Sequence, residues 1–419
     1  QLATLPLTPN GKVDRKALPA PRPGDFEADQ NYIAPRDVVE RKLAALWEDV
    51  LGIHPIGVKT SFFDLGGRSL LAARLFMRIS RTFGKDLPLA TLFHAPTIEQ
   101  LAHKLRPQAT ATSYATLVAI QPGGFKPPFF CVHGGAGSAL FLHRLAREMG
   151  PDQPFYGIEP EGLDGKRFQR TTVEQMAAHY LAEIRKIQPE GPYYIGGYCF
   201  GGLTAFEMAR QLRRQGQQVA VVALFSASLR FYRAAQKQMP AAAVAPKSRT
   251  ALTRLMRLVR SPRQTIGWRV VSWTRTLQTK VRRNTIRLFL ALGLPVPQAL
   301  RTMYVTRMLS QAEENYAPGR YDGTLILFRG QGLYENDPDM GWDGLADNFE
   351  NYEIGDGGLL SRRDIMNEPL VGLLAKQLSA CLERARDVGA SSCRETKFDR
   401  SVAASSSKAS AMPVIETAG

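Results

Sequence analysis

The sequence predicts two dissimilar folding units in series, a small all-α unit followed by a larger α/β unit. Between residues 32 and 106, apolar side chains recur at helical spacing. From about Ala115, short apolar runs alternate with longer helical stretches, which implies parallel strand pairing. At 419 residues the chain is also long enough for more than one core.

Residues 1 to 20 are polar and Pro-rich, and 21 to 31, with "PAPRPGDF", read as a linker. In "RDVVERKLAALWEDVLGI" the positions of Val38, Val39, Leu43, Leu46, Trp47, Val50 and Leu51 fit a helix that Gly52 stops. A second helix begins near Ser69 ("SLLAARLFMRISRTFG"), and a third covers "TIEQLAHKLR". In the larger unit, residues 115 to 386, the runs "PFFCVH", "PYYIGGY", "VAVVALFS" and "GTLILFRG" are expected strands. The stretches "TVEQMAAHYLAEIRKI" and "LTAFEMARQLRRQG" are expected helices. Residues 229 to 308 interrupt this alternation with helix-compatible, lid-like sequence. The tail 387 to 419 is Ser/Ala-rich and aperiodic, so disorder is expected there.

The net charge of +16 is confined to one place. From Leu229 to Met308 there are 17 Lys/Arg and no Asp or Glu. Within it Arg254, Arg257, Arg260 and Arg263 recur every third residue around Leu255, Leu258 and Val259, which fits an amphipathic helix. No nucleic-acid-binding motif accompanies this charge, so nucleic acid is not an expected partner. An acidic protein surface, an anionic acyl chain or an anionic lipid is, against the plainer alternative of a solvated positive face. No apolar run is long enough to span a bilayer, and the N-terminus has neither an initiator Met nor an apolar signal core. We expect a cytoplasmic protein, cut from something longer. Cys131, Cys199, Cys381 and Cys393 are too few and too irregular for a disulfide framework or a metal site, and are expected as free thiols.

In "FFDLGGRSLLAARL" a serine follows an acidic-glycine turn and opens a helix, where an attached phosphate is favoured. Taken alone, Ser69 could simply cap that helix. The segment from Tyr32 to Leu105 resembles a peptidyl carrier domain, whose signature "DLGGRSL" matches. The resemblance implies a four-helix fold and a 4'-phosphopantetheine arm on Ser69, added by a separate phosphopantetheinyl transferase. Arg68 stands where that family often has His. Upstream, "LPLTPNGKVDRKALP" resembles the closing motif of adenylation domains in nonribosomal peptide synthetases, with Lys12 at the lysine that contacts the acyl-adenylate. Lys12 would here be a remnant, and upstream synthetase modules the expected partners.

"YYIGGYCFGG" has the frame of a catalytic turn, small-x-nucleophile-x-small, with Cys199 at its centre. Glycines keep space clear around such a residue, and a following helix N-terminus favours a thiolate. The segment 115 to 386 resembles the thioesterases that end such assembly lines, an α/β-hydrolase fold with a helical lid at about 229 to 308. The resemblance makes Cys199 the nucleophile toward an acyl or peptidyl thioester. It makes "CVHGGAGS" the oxyanion loop, with backbone N–H groups near Ala136 and of Phe200 as donors. His133 is expected to orient that loop.

The remaining catalytic groups depart from the family. Its acid often follows the next strand, where this chain has Ser226; Asp337 and Asp339, after the strand beyond, are the substitute candidates. At the place of the family's histidine stands Gly357 or Arg362, depending on the alignment, and neither can act as a base. His54, His94, His103, His133, His143 and His179 all lie elsewhere. Two readings follow. In one, Ser69 presents the acyl chain and Cys199 accepts it for release or transfer; in the other, a degenerate thioesterase-like module docks the loaded carrier without turnover.

Overall fold

The computed structural model describes residues 32–106, 115–229, 278–331, 337–355 and 364–387. The expected adenylation remnant and linker, the tail 388–419 and most of the basic stretch lie outside them. The chain divides into two compact units, one built from residues up to Leu87 and from His94 to Ala111, the other from residues 88–93 and 112 onward.

In the first unit, α1 (Val38–Leu51) is capped by Asp37, whose carboxylate accepts from the Glu40 N–H, and ends on Gly52 at φ 70°. Leu43, Ala44 and Trp47 form its buried face, whereas Val38 is exposed. α2 (Ser69–Phe83) buries Ala72, Leu75, Phe76 and Ile79. The short α3 (Thr91–His94) follows, and α4 (Ile98–Leu105) opens on a capping box between Thr97 and Gln100. α1, α2 and α4 belong to this unit, while residues 91–93 of α3 group with the second; together they are the four helices that the carrier resemblance implies.

The second unit holds a seven-stranded sheet in the order β1-β3-β2-β4-β5-β6-β7. Its strands are β1 (Leu117–Gln121), β2 (Phe129–Val132), β3 (Phe155–Ile158), β4 (Tyr193–Tyr198), β5 (Val219–Phe225), β6 (Tyr321–Gly330) and β7 (Ala346–Ile354). Only the β1–β3 pairing is antiparallel. Alternate strand residues enter two separate cores. Phe130, Ile195, Leu224 and Leu327 face one side, packed by α6 (Val173–Ile184), α7 (Phe200–Arg214) and a later helix, α9 (Gln298–Glu314). Phe129, Tyr194, Phe225 and Phe328 face the other, covered by α5 (His143–Glu148) and the C-terminal helix α10 (370–387).

The segment expected as a lid is described only from residue 278. There it forms α8 (278–291) and the first part of α9. α9 buries Tyr304, Val305 and Leu309 in the core, so this end of the segment is part of the body of the unit.

Candidate active site

β4 lies inside the sheet, and Cys199 follows its last residue as the cap of α7. Its backbone sits at φ 53°, ψ −115°, a conformation that costs a non-glycine residue about 1–3 kcal/mol. Neighbouring groups hold it there. The Cys199 N–H donates to the Phe225 carbonyl at 2.9 Å, and its own carbonyl accepts from the Gly202 N–H at 3.1 Å. The flanking glycines are required by space: a Cβ on Gly197 would overlap the Gly201 carbonyl, and one on Gly201 would overlap the carbonyls of Val132 and His133. Cys199 is half-buried, while Cys131 and Cys381 are buried. Burial pushes the Cys131 thiol well up, which keeps it protonated.

The close approach of Gly201 to Val132 and His133 brings the start of α7 against the loop that leaves β2. In that loop the Gly137 N–H donates to the Gly134 carbonyl at 2.9 Å, closing a turn with Ala136 exposed. Three contacts fix it. His133 is fully buried, with Nδ1 2.8 Å from the Gly134 carbonyl and Nε2 3.0 Å from the Tyr180 hydroxyl, and its ring stacks on Phe200. Burial pushes its imidazole down to about 4, so it is neutral near pH 7 and both ring nitrogens are engaged. Glu159, after β3, accepts from the Ala139 N–H at 2.9 Å and from the Ser138 hydroxyl at 3.3 Å. On the other side, the Thr306 hydroxyl of α9 donates to the Gly135 carbonyl at 3.0 Å. The Phe200 N–H lies in the first turn of α7, where an amide has no intrahelical acceptor.

Ser226 follows β5 level with Cys199, since Tyr198 pairs with Phe225. It has a φ of 47°, and its N–H donates to the Phe328 carbonyl at 2.8 Å. Asp337 and Asp339 lie in the loop after β6. The Asp337 carbonyl accepts from the Met340 N–H, and the Asp339 carboxylate accepts from Asn351 at 3.2 Å. That loop is tied to the end of β5 by the Trp342 indole, which donates to the Ala227 carbonyl at 2.8 Å. Gly357 and Arg362 lie outside the described residues. His179 stands on α6, with Nε2 3.1 Å from the Thr116 hydroxyl. Sequence reasoning missed Glu159, although a carboxylate directly after the apolar run "FYGI" was a visible signal.

In the first unit the turn before Ser69 is built on Phe62, whose ring meets Trp47 edge-on. The Phe62 carbonyl accepts from the Gly67 N–H at 2.9 Å, and a Cβ on Gly67 would overlap the Phe62 ring. Gly66 takes φ 79°. Ser69 is thereby presented half-exposed as the first residue of α2, whose N-terminus carries no side-chain cap. Uncapped amides there suit an attached phosphate.

The family model described as a phosphopantetheine attachment site matches residues 41–105, and the one described as a thioesterase domain matches residues 127–264. The chain is 45% identical over 226 residues, 54% of its length, to malpinin synthetase of Mortierella alpina, of which that covers 3%. It is 40% identical over 223 residues to a dimodular nonribosomal peptide synthase of Bacillus subtilis, covering 53% of this chain and 9% of that one. The chain thus spans under a tenth of the length of these relatives. A holo four-domain nonribosomal peptide synthetase bound to AMP and glycine aligns over 90% of this chain and 28% of its own, at 27% identity and a TM-score of 0.50.

Proposed function

From a chain that joins a phosphopantetheine-attachment domain to a thioesterase domain and has nonribosomal peptide synthetases as relatives, we propose a terminal carrier and acyl-transfer region in which Cys199 is the nucleophile. The observation that carries this reading is the strained turn at Cys199, held against the oxyanion loop by glycines with no room for a side chain. Such strain is retained where a side chain must be aimed.

Ser69 would hold the phosphopantetheine, which supplies a thiol that carries the acyl group as a thioester. The Cys199 thiolate attacks the carbonyl carbon of that thioester substrate. The Phe200 N–H and an N–H of the Ala136 turn receive the oxyanion. Collapse of that oxyanion would break the original carbon–sulfur bond, and the leaving thiolate would take up a proton from solvent. One thiolate is exchanged for another, so the first step needs no general base. Hydrolysis of the acyl-cysteine does, and its loss typically removes a factor of ~10² to 10⁴. Acyl holding or transfer is therefore better served here than fast hydrolysis. Asp337 and Asp339 remain the acid candidates.

A second reading, a module that docks loaded carriers without turnover, is favoured by Ser226 in the acid's place and by His133 being neutral and occupied at both nitrogens. Intact-protein mass spectrometry separates the two. Ser69 is loaded with an acyl-pantetheine, and acyl mass is followed in the parent, Cys199→Ala and Ser69→Ala. Acyl on the Cys199 fragment is expected; acyl that stays on Ser69 at the same rate with and without Cys199 would sink the enzyme reading.

A further inference from the structure

Between α8 and α9 lies a cavity of about 710 Å³, a size typical of small-molecule sites. Its floor is apolar, with Ile286, Leu290 and Met303 among its lining. Lys280, Arg283, Arg287 and Arg307 surround that floor. On α8, Lys280, Arg283, Arg287 and Leu290 are spaced to share one helix face. Among the described residues no carboxylate lines the cavity; residues 229–308 contain none in sequence, and the two of α9, Glu313 and Glu314, lie at its far end outside the lining. The Arg283 Nε is buried and has no hydrogen-bond partner among the described residues. A buried donor in that state calls for an acceptor. α9 serves both the cavity and the candidate site: among its lining residues Met303, Tyr304 and Arg307 stand Val305, against Gly137, and Thr306, whose hydroxyl donates to the Gly135 carbonyl.

We propose that this cavity seats the far end of the acyl group handled at Cys199, and that this end is an apolar chain bearing a carboxylate or another anionic group. Four cations along a lining that also carries Ile286, Leu290 and Met303 favour such a ligand over a neutral chain, which leaves the Arg283 donor without an acceptor, and over a cationic one, which they repel. Identifying the occupant as the acyl group rests on the acyl-transfer reading; the anion site does not.

Decanoate, decanol and decyltrimethylammonium, each below its micelle concentration, are titrated calorimetrically into the full chain carrying Cys199→Ala. Decanoate is expected to bind at least about tenfold more tightly than the other two. Arg283→Gln with Arg287→Gln should abolish that preference, whereas Arg282→Gln, exposed on the same helix and outside the lining, should not. Should the paired variant misfold, Arg307→Gln tests the same site from α9. Equal binding of the three probes, or an equal loss in Arg282→Gln, overturns the site in favour of diffuse charge. So does sedimentation with phosphatidylglycerol vesicles when decanoate binds no better than decanol, which assigns the basic face to a membrane.

In a second arm, acylation of Cys199 by the N-acetylcysteamine thioesters of 10-carboxydecanoic and decanoic acids is followed by intact mass. About tenfold faster acylation by the carboxylated chain is expected, and equal rates overturn the placement of the acyl end. No acylation by either, with decanoate preference intact, upholds the anion site and overturns the acyl-transfer reading instead.

Discussion

Glu159→Gln should stabilise the α/β unit at pH 8 and leave it unchanged at pH 5. Burial pushes the Glu159 carboxyl from an ordinary 4.5 up to about 7, against the hydrogen bonds from Ala139 and Ser138 that favour the anion. Between those values the folded chain keeps a proton that the unfolded chain has lost. Stability therefore falls as pH rises through the window, by about 3 kcal/mol when the whole shift is expressed. Glutamine keeps an oxygen for the Ala139 N–H and cannot ionise, so it removes the penalty. His133 acts with the opposite sign. Its imidazole is held down at about 4 against 6.5, so stability falls as pH drops through that window. From about pH 4.5 to 6.5 the two contributions offset each other in the parent, and the variant should acquire a slope that the parent lacks. The measurement is urea unfolding of both proteins at pH 5, 6, 7 and 8, read by hydrogen exchange in peptides of β2, β3 and β4 so that only this unit is scored. A stability difference that does not grow between pH 5 and pH 8 would refute an ionised, buried Glu159.

In native protein, iodoacetamide should label Cys199 and spare Cys131, whose thiol is buried and kept protonated; peptide mapping that finds Cys131 labelled first would contradict this. Cys199→Gly should end acylation yet raise stability by up to about 2.5 kcal/mol, the relief of ~1–3 kcal/mol of strain less the ~0.5–1 kcal/mol entropic cost of glycine, as checked by denaturant melts. Gly67→Ala should cost the carrier unit about 1–3 kcal/mol by overpacking against Phe62, and should slow modification of Ser69 by a phosphopantetheinyl transferase, read by intact mass. Cys199→Ser should lower acylation at least ~100-fold if no general base serves the site. A serine variant that keeps pace with the parent would show that one does.

The parts of the fold legible in sequence are those whose burial is simplest. β2, β4, β5 and residues 325–328 of β6 are covered on both faces and read as apolar runs. β3 is not among the expected strands, although it is as short as β2, and β1 and β7 are edge strands. β7, "ADNFENYEI", is mostly half-exposed or exposed, so its polar residues hide it. The same limit applies within the site. The glycines around Cys199 announce a tight turn by their spacing, and Gly197 answers a collision within the turn itself, with the Gly201 carbonyl. The role of Glu159 is fixed when β3 brings it to Ala139, twenty positions earlier in the chain, and the positive φ of Ser226 only when its N–H meets Phe328 across the sheet. Val38 matched the helical spacing and is nonetheless exposed, because a repeat marks a face without marking where that face ends.

The residue at the turn and the residues missing around it are parts of one chemical choice. A serine in this setting would need a base to become a nucleophile and again to release its ester. A cysteine needs none for capture, because a few per cent of a thiol is ionised at about pH 7 and the thiolate is intrinsically reactive. His133 cannot supply the base: its ring is locked between Gly134 and Tyr180, and burial holds it neutral. What it does supply is a fixed wall for the oxyanion loop, which Glu159 and Thr306 brace from two other elements. With the proposed donors held firm and, among the described residues, no histidine in the base's place, such a site would stabilise the first transition state and leave the second to whatever acceptor arrives. An incoming thiol or amine that sheds its own proton to solvent can then compete with water, and the cavity beside α9 would decide which acyl chains wait there long enough to meet it.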